Sequence, residues 1–95
     1  MSASTATVTD SQQPAHTEPF APEKLSRSIH AACLSVNLPD GLAEDTARHT
    51  CKAVELWLAT KSEVTTDDIR RKAAQALAIV SPEASYLYKH HHHIL

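Results

Sequence analysis

Polar and apolar residues alternate at helical spacing along most of the chain from Phe20 onward. The first stretch predicts a helix from about Pro22 to Val36, because proline at the first helical position costs no hydrogen bond and Glu23 suits the positive end of the helix dipole. Apolar residues separated by four, three and four positions form its stripe: Leu25, Ile29, Ala32 and Val36. The sequence "NLPDG" then ends this amphipathic helix.

Three further amphipathic stretches predict three more helices. The second helix spans about residues 42 to 61 and directs one apolar stripe inward: Ala47, Cys51, Val54 and Leu58. The third helix follows Thr65, which forms a capping-box pattern with Asp68. The fourth helix begins with Ser81 as its cap and Pro82 at its first position.

Together these elements predict a mainly α fold, a small four-helix bundle with short links. The β-branched segment "SEVTT" between the second and third helices predicts a brief extended pairing. Residues 1–15 are rich in Ser, Thr, Gln and Ala, and Val8 is their only bulky residue. Because such a segment buries too little apolar surface to offset the entropy of ordering it, we expect a flexible arm at 1–15 and one helical domain at 16–95.

Charge and glycine content exclude several modes of binding. Nine Lys and Arg against 11 Asp and Glu give a formal charge of −2, without the basic excess typical of DNA-binding domains, so we expect no nucleic-acid partner. Gly41 is the single glycine, whereas P-loops and Rossmann turns need several. A nucleotide that binds here would therefore use neither motif.

Cysteine usage and hydropathy indicate where the protein resides. Cys33 and Cys51 lie far apart on predicted helices without Cys-x-x-Cys spacing, which favours two buried thiols in a reducing compartment; a disulfide between the helices is the alternative. The N-terminus has no apolar leader, and no run of about 18 apolar residues occurs. We expect a cytoplasmic protein without a membrane span.

The sequence offers no set of nucleophile, base and orienting residue, so we expect no enzyme. The run "KHHHHIL" places four histidines at His90–His93. A structural zinc site normally gathers ligands from two segments, so this run predicts adventitious metal binding or the remnant of a tag, and we expect no metal beyond nucleotide-bound magnesium. The run "DDIRRK" is typical of a solvated helix face.

Three segments, in the same order and spacing, resemble the ATP-cone domain family. "EPFAPEKLSRSIHAAC" is similar to the family's Glu-Pro-Phe-Asp-x-x-Lys-Leu start of a first helix, and "EVTTDDIRRKAAQAL" to its Thr-Thr-x-x-Ile start of a later one. "SPEASYLYKHH" resembles its closing segment, and the likeness extends from about Thr17 to the C-terminus. The resemblance implies a four-helix bundle with a small β element near the N-terminus.

The resemblance also implies a regulatory function. ATP cones lie at the N-terminus of ribonucleotide reductase large subunits and within the NrdR-type repressor, where they bind ATP or dATP and change oligomeric state without hydrolysing the nucleotide. The 95 residues hold neither a zinc ribbon nor a reductase domain, so we expect a free-standing module. Its expected partners are a nucleotide and a second copy or another protein.

The resemblance also implies which residues form the nucleotide-binding site. Lys24 matches the family's helix-1 lysine that contacts phosphates, and Glu18 matches a glutamate near the base and sugar. Lys72 falls where the third helix faces the ligand. Tyr86 and Tyr88 fall where the last helix supplies aromatic residues, with a core position as the alternative for both.

The chain departs from the family at its N-terminal turn. Counting back from Phe20, the family's Lys-Arg-Asp-Gly positions are occupied by residues 12–15, "QQPA", and the Asp after Phe is replaced by Ala21. Two phosphate-directed cations, each worth about 1.5–3 kcal/mol in a charge-assisted hydrogen bond, are thus missing. The cations expected to compensate are Lys24, Arg27, Arg71 and Lys72.

Two functions remain open at this point. The first is a regulatory module that binds ATP or dATP and acts through oligomerisation or a partner, which the preserved helix-1 start favours. The second is a degenerate cone that no longer binds nucleotide and serves as a protein–protein or oligomerisation module, which the altered turn favours.

Overall fold

Four helices and a small three-stranded sheet make up the protein in its computed structural model, which describes residues 7–90. The elements in chain order are β1 (Thr7–Asp10), β2 (Gln13–Pro19), α1 (Pro22–Ser35), α2 (Asp40–Leu58), β3 (Glu63–Thr65), α3 (Thr66–Val80) and α4 (Pro82–His90). The predicted four helices and the short extended segment before the third are confirmed. No helix between residues 7 and 90 has the length and apolarity that a bilayer crossing requires.

The link between α1 and α2 ends the first helix by a Schellman motif. Asn37 adopts a left-handed conformation with φ 66°, which asparagine tolerates better than most residues. The Leu38 N–H then donates to the Cys33 carbonyl at 3.1 Å, and the Asn37 N–H to the Leu34 carbonyl at 3.0 Å. α2 begins at Asp40, two residues before the predicted start, because the acidic side chain suits the first turn of a helix.

The starts of α3 and α4 are both capped as the sequence predicts. The Thr65 hydroxyl accepts from the Asp68 N–H at 3.0 Å, and the Asp68 carboxylate accepts from the Thr65 N–H at 3.1 Å. Ser81 caps α4 by accepting from the Ala84 N–H at 3.1 Å. The Ser85 hydroxyl donates to the Ala74 carbonyl at 2.7 Å and holds α4 against α3.

Residues 7–15, part of the segment expected to be an arm, contain strand β1, the hairpin turn and the start of strand β2. β1 is the central strand: it pairs antiparallel with β2 and parallel with β3, in the order β2-β1-β3. Val8 lies opposite Glu18 on one side and Val64 on the other, and only 5% of it is exposed. Backbone pairing with two strands and burial of one valine therefore hold a segment whose composition alone offers little apolar surface.

The hairpin turn also lies elsewhere than residue counting predicted. The chain turns at Ser11 and Gln12, three residues before the position inferred from the family pattern, and the strand register shifts between Thr9 and Asp10. The Asp10 carboxylate fixes the turn by accepting from the Gln12 N–H at 2.9 Å. Neither placement brings a Lys or Arg to the turn, since residues 7–19 contain none.

The core fills the space between the four helices and the sheet. Its largest fully buried side chains are Ile29, Leu58, Leu77, Val54 and Cys33. Cys33 and Cys51 are buried free thiols, and burial raises the pKa of each above its ordinary value. The disulfide alternative is therefore absent from the structure, and the thiols pack as small apolar groups.

Candidate nucleotide pocket between the hairpin, α1 and α3

A pocket of about 400 Å³ opens where the end of β2 and the start of α1 meet α3 and α4. This volume falls within the range of about 300–1,000 Å³ typical of small-molecule sites. Its charged and polar lining residues are Glu18, Lys24, Arg27, Ser28, Thr66 and Arg70. Its apolar lining residues are Val8, Pro19, Phe20, Ala21, Leu25, Ala31, Ile69 and Tyr88.

One face of α1 forms a wall of this pocket. Lys24, Arg27, Ser28 and Ala31 follow at the three- and four-residue spacings that share a helix face. Lys24 and Arg27 are exposed, whereas Ser28 is buried and its hydroxyl donates to the Lys24 carbonyl at 2.8 Å. The pocket wall therefore lies beside the core-facing stripe of the same helix and carries two positive charges.

Ala21, which lines the pocket just before this wall, is the N-cap of α1. Its backbone is extended, at φ −115° and ψ 96°, and no side chain caps the helix. The Lys24 N–H donates to the Ala21 carbonyl at 3.2 Å. A helix start without a side-chain acceptor, next to lysine and arginine, is an environment that favours an anion.

α3 contributes Thr66, Ile69 and Arg70 to the opposite wall, again at three- and four-residue spacing. The start of this helix is closed by protein groups. In addition to the capping box, the Ser11 hydroxyl accepts from the Asp67 N–H at 3.0 Å and from the Thr66 hydroxyl at 3.2 Å. The hairpin turn is thereby fastened to α3.

Arg70 is a pocket residue that the sequence interpretation missed. Its Nε is buried and has no hydrogen-bond partner within residues 7–90, and its guanidinium carbon lies 5.6 Å from the ring centroid of Tyr88. Burial raises the pKa of Tyr88, and the positive charge of Arg70 opposes that rise. Helical geometry could have found Arg70, because it stands one turn after Thr66 on the side of α3 that faces the hairpin.

The residues proposed from the sequence separate into two groups. Glu18, Lys24 and Arg27 converge on the pocket. Arg71 and Lys72 do not line it, whereas the neighbouring arginine on α3, Arg70, does. The Arg71 side chain is 61% exposed and pairs with Asp68 at 3.2 Å.

The two tyrosines of α4 differ in burial and in their position relative to the pocket. Tyr88 is buried and lines the pocket, which combines the two roles considered for it. Tyr86 is 65% exposed, and its ring centroid lies 4.3 Å from that of His90, away from the pocket lining. Residues 91–93 of the histidine run lie outside the described residues, and within residues 7–90 no group of three His, Cys, Asp or Glu could hold a metal ion.

The pocket carries an excess of positive charge. Three cations, Lys24, Arg27 and Arg70, share it with one carboxylate, Glu18. Two ion pairs occur within residues 7–90, Arg48 with Asp45 and Arg71 with Asp68, and neither includes a pocket cation. The chain as a whole has a net charge of −2, so the charge of this pocket is opposite in sign to that of the chain.

Comparison with known proteins assigns the family. The family model of the ATP cone domain matches residues 15–93, most of the chain. The chain belongs to the ATP-cone family. Searches of curated proteins and of solved structures returned no match. The matched range contains residues 15–19 of β2, β3, all four helices and every cation of the pocket. Of the lining residues, Val8 alone lies outside it.

Proposed function

We propose that this ATP cone is a regulatory module that binds ATP or dATP in the pocket between the hairpin, α1 and α3. Binding would change its association with a second copy or with a partner protein, without turnover of the nucleotide. The observation that carries the proposal is the convergence of Glu18, Lys24 and Arg27 in one pocket of suitable volume. Membership of the ATP-cone family supplies the nucleotide class.

The orientation of the ligand follows from the distribution of charge in the pocket. Lys24 and Arg27 lie beside the uncapped start of α1, where cations and the helix dipole together favour phosphate groups. Glu18 lies at the end of β2 and offers acceptor oxygens to sugar hydroxyls or to a base amino group. Apolar neighbours such as Phe20 provide contact area for the base.

A second function, a protein-interaction module without nucleotide, is favoured by one specific observation. The hairpin at residues 7–19 contains no Lys or Arg, so the phosphates would lack the contacts that two hairpin cations provide in the family. Exposed apolar side chains also occur on the helices, including Leu56, Ile79 and Tyr86 at 66%, 86% and 65% exposure. In this alternative the helix faces, and not the pocket, would carry the function.

Calorimetric titration and thermal denaturation with ATP and with dATP distinguish the two functions. Saturation at about one hundred times the dissociation constant should raise the free energy of unfolding by about 2.7 kcal/mol. Lys24→Ala should weaken binding about 10- to 100-fold, the loss of one charge-assisted hydrogen bond. The matched control is Lys52→Ala, an exposed lysine of α2 outside the pocket, which should leave binding unchanged.

The contrary results are equally defined. Absence of a stability change at millimolar nucleotide would refute the sensor function. Self-association in sedimentation velocity that is indifferent to nucleotide would then support the interaction module. Equal affinities for the wild type and Lys24→Ala would show that the phosphates lie elsewhere.

A further inference from the structure

We propose that Arg70 is an anion-binding residue of the pocket and supplies from α3 the phosphate-directed positive charge that the hairpin lacks. This inference rests on the proposed function for the identity of the nucleotide. It adds a binding residue and a preference for the number of phosphates.

Within the described part of the chain, the environment of Arg70 leaves one of its donors unsatisfied. Its Nε–H is buried, yet within residues 7–90 no acceptor lies within hydrogen-bonding distance. An unsatisfied buried donor costs free energy, and the cost is larger when the group is charged. Because Arg70 lines the pocket, an anion there could contact its guanidinium, and a change of the side-chain rotamer would bring the buried donor to the same acceptor.

The contrast with the next residue strengthens this argument. Arg71 has the same chemistry, but it points away from the pocket and is paired with Asp68 on the surface of α3. Arg70 has no carboxylate partner within residues 7–90 and packs its guanidinium over the ring of Tyr88. Such packing limits the conformations of a long side chain and so lowers the entropy lost when a ligand binds.

The position of Arg70 gives the ligand class. Lys24 and Arg27 lie on α1, whereas Arg70 lies on α3, so positive charge reaches the pocket from two helices. Against these three cations stands the single carboxylate of Glu18. A chain of several phosphates can contact both helices at once, whereas one phosphate group would engage one wall. The pocket should therefore prefer a nucleoside triphosphate to a monophosphate, and this preference should depend on Arg70.

The test compares the wild type with Arg70→Met, which retains an unbranched aliphatic side chain and removes the charge. Arg71→Met is the matched control on the adjacent position. Affinities for ATP, AMP and inorganic tripolyphosphate are measured by calorimetry, after the unfolding temperature of each free variant confirms that it is folded. Arg70→Met should weaken ATP and tripolyphosphate about 10- to 100-fold and AMP much less. Arg71→Met should change each affinity by less than about threefold.

A third variant, Arg70→Lys, should recover part of the lost affinity because it restores the charge without the planar fork. Each result has a defined meaning. If Arg70→Met and Arg71→Met change the affinity for ATP equally, the role of Arg70 is overturned and the proposed function remains intact. Arg70-dependent binding of tripolyphosphate without preference for ATP would support Arg70 and refute the adenine nucleotide. Failure of the wild type to bind either compound would overturn both.

Discussion

The two helices that border the pocket begin in opposite ways. α3 starts with a complete capping box between Thr65 and Asp68, and Ser11 of the hairpin turn accepts a further N–H. α1 starts at Pro22 with Ala21 as its N-cap; the methyl group of Ala21 accepts no hydrogen bond, and no other side chain caps the helix. Protein groups therefore satisfy one helix start, whereas the other is left to solvent or to a ligand.

This difference separates structural from functional parts of the pocket. The start of α3 anchors the hairpin and fixes the orientation of Thr66 and Arg70. The start of α1 lacks the stabilisation of a cap but lies beside Lys24 and Arg27, so an anion there would gain from both the dipole and the cations. The four predictions that follow test this contrast through stability, in decreasing order of effect.

Removing the capping box of α3 should have the largest effect. Thr65→Ala combined with Asp68→Ala deletes both reciprocal hydrogen bonds and should lower the free energy of unfolding by about 2 kcal/mol. For a domain of this size that corresponds to roughly 10 °C in the melting temperature. Ser35→Ala, which removes an exposed hydroxyl bonded within α1, serves as the control in urea denaturation. If the free energy of unfolding falls no further than in the control, the capping box does not stabilise the start of α3.

Weakening the attachment of the hairpin turn to α3 should have an intermediate effect on the free energy of unfolding. Ser11→Ala removes the acceptor for the Asp67 N–H and should cost about 1 kcal/mol. Amide hydrogen exchange in β1 should become faster, because both bonds of the Ser11 hydroxyl to α3 are lost and only the backbone N–H of residue 11 still donates to the Thr66 hydroxyl. Gln12→Ala is the control in the same turn, since the bond between its N–H and Asp10 uses the backbone. Unchanged exchange in Ser11→Ala would show that the Ser11 hydroxyl does not contribute to holding the hairpin.

Adding a cap to α1 should stabilise the protein. The extended backbone of Ala21 suits an N-cap side chain, so Ala21→Ser should raise the free energy of unfolding by about 0.5–1 kcal/mol. Ala78→Ser, at an exposed position inside α3, should instead lower it by a few tenths. Ala21→Asp should stabilise the free protein similarly but weaken anion binding, because it adds a negative charge at the pocket. No gain from either Ala21 variant would indicate that the α1 start is already satisfied.

The smallest effect concerns pH. The hydrogen bond from the Thr65 backbone N–H lowers the pKa of Asp68, with smaller contributions from the Thr65 hydroxyl and Arg71, while desolvation acts in the opposite direction. A folded-state pKa below the unfolded value of about 3.9 gives stability that is present above that pH and is lost as the pH falls through the folded pKa. The side chain is 38% exposed, so solvent reduces the contribution. Urea denaturation of the wild type and Asp68→Asn at pH 7 and pH 3 should show a smaller difference at pH 3; an equal difference would exclude this linkage.

The helical part of this architecture follows from the sequence. Period-3.6 stripes defined four helices, and local signals such as Thr65 with Asp68 and Ser81 with Pro82 defined two starts within a residue. These signals are short in range, so they survive without knowledge of the tertiary structure. The hairpin could not be predicted from the sequence in this way. Val8 is a single apolar residue, and its burial depends on strand β3, more than 50 residues later.

The pocket could be predicted on one side only. Lys24 and Glu18 belong to the segment that most resembles the family, and both line the pocket. On α3 the sequence offers three consecutive cations, "RRK", and their selection depends on the rotation of the helix about its axis. That rotation is set by Ile69 in the core and by the contact of Ser11 with Thr66, which composition does not reveal.

The central claim is that an anionic nucleotide binds at the open start of α1 and not at the closed start of α3 or elsewhere. Titration of ¹⁵N-labelled protein with ATP, followed by amide chemical shifts, tests it most directly. The account predicts the largest backbone shifts at Ala21 and Lys24, with a side-chain Nε shift for Arg70 and little change in the first turn of α2 around Leu42. Spectra unchanged at millimolar ATP, or shifts centred on α2, would contradict it.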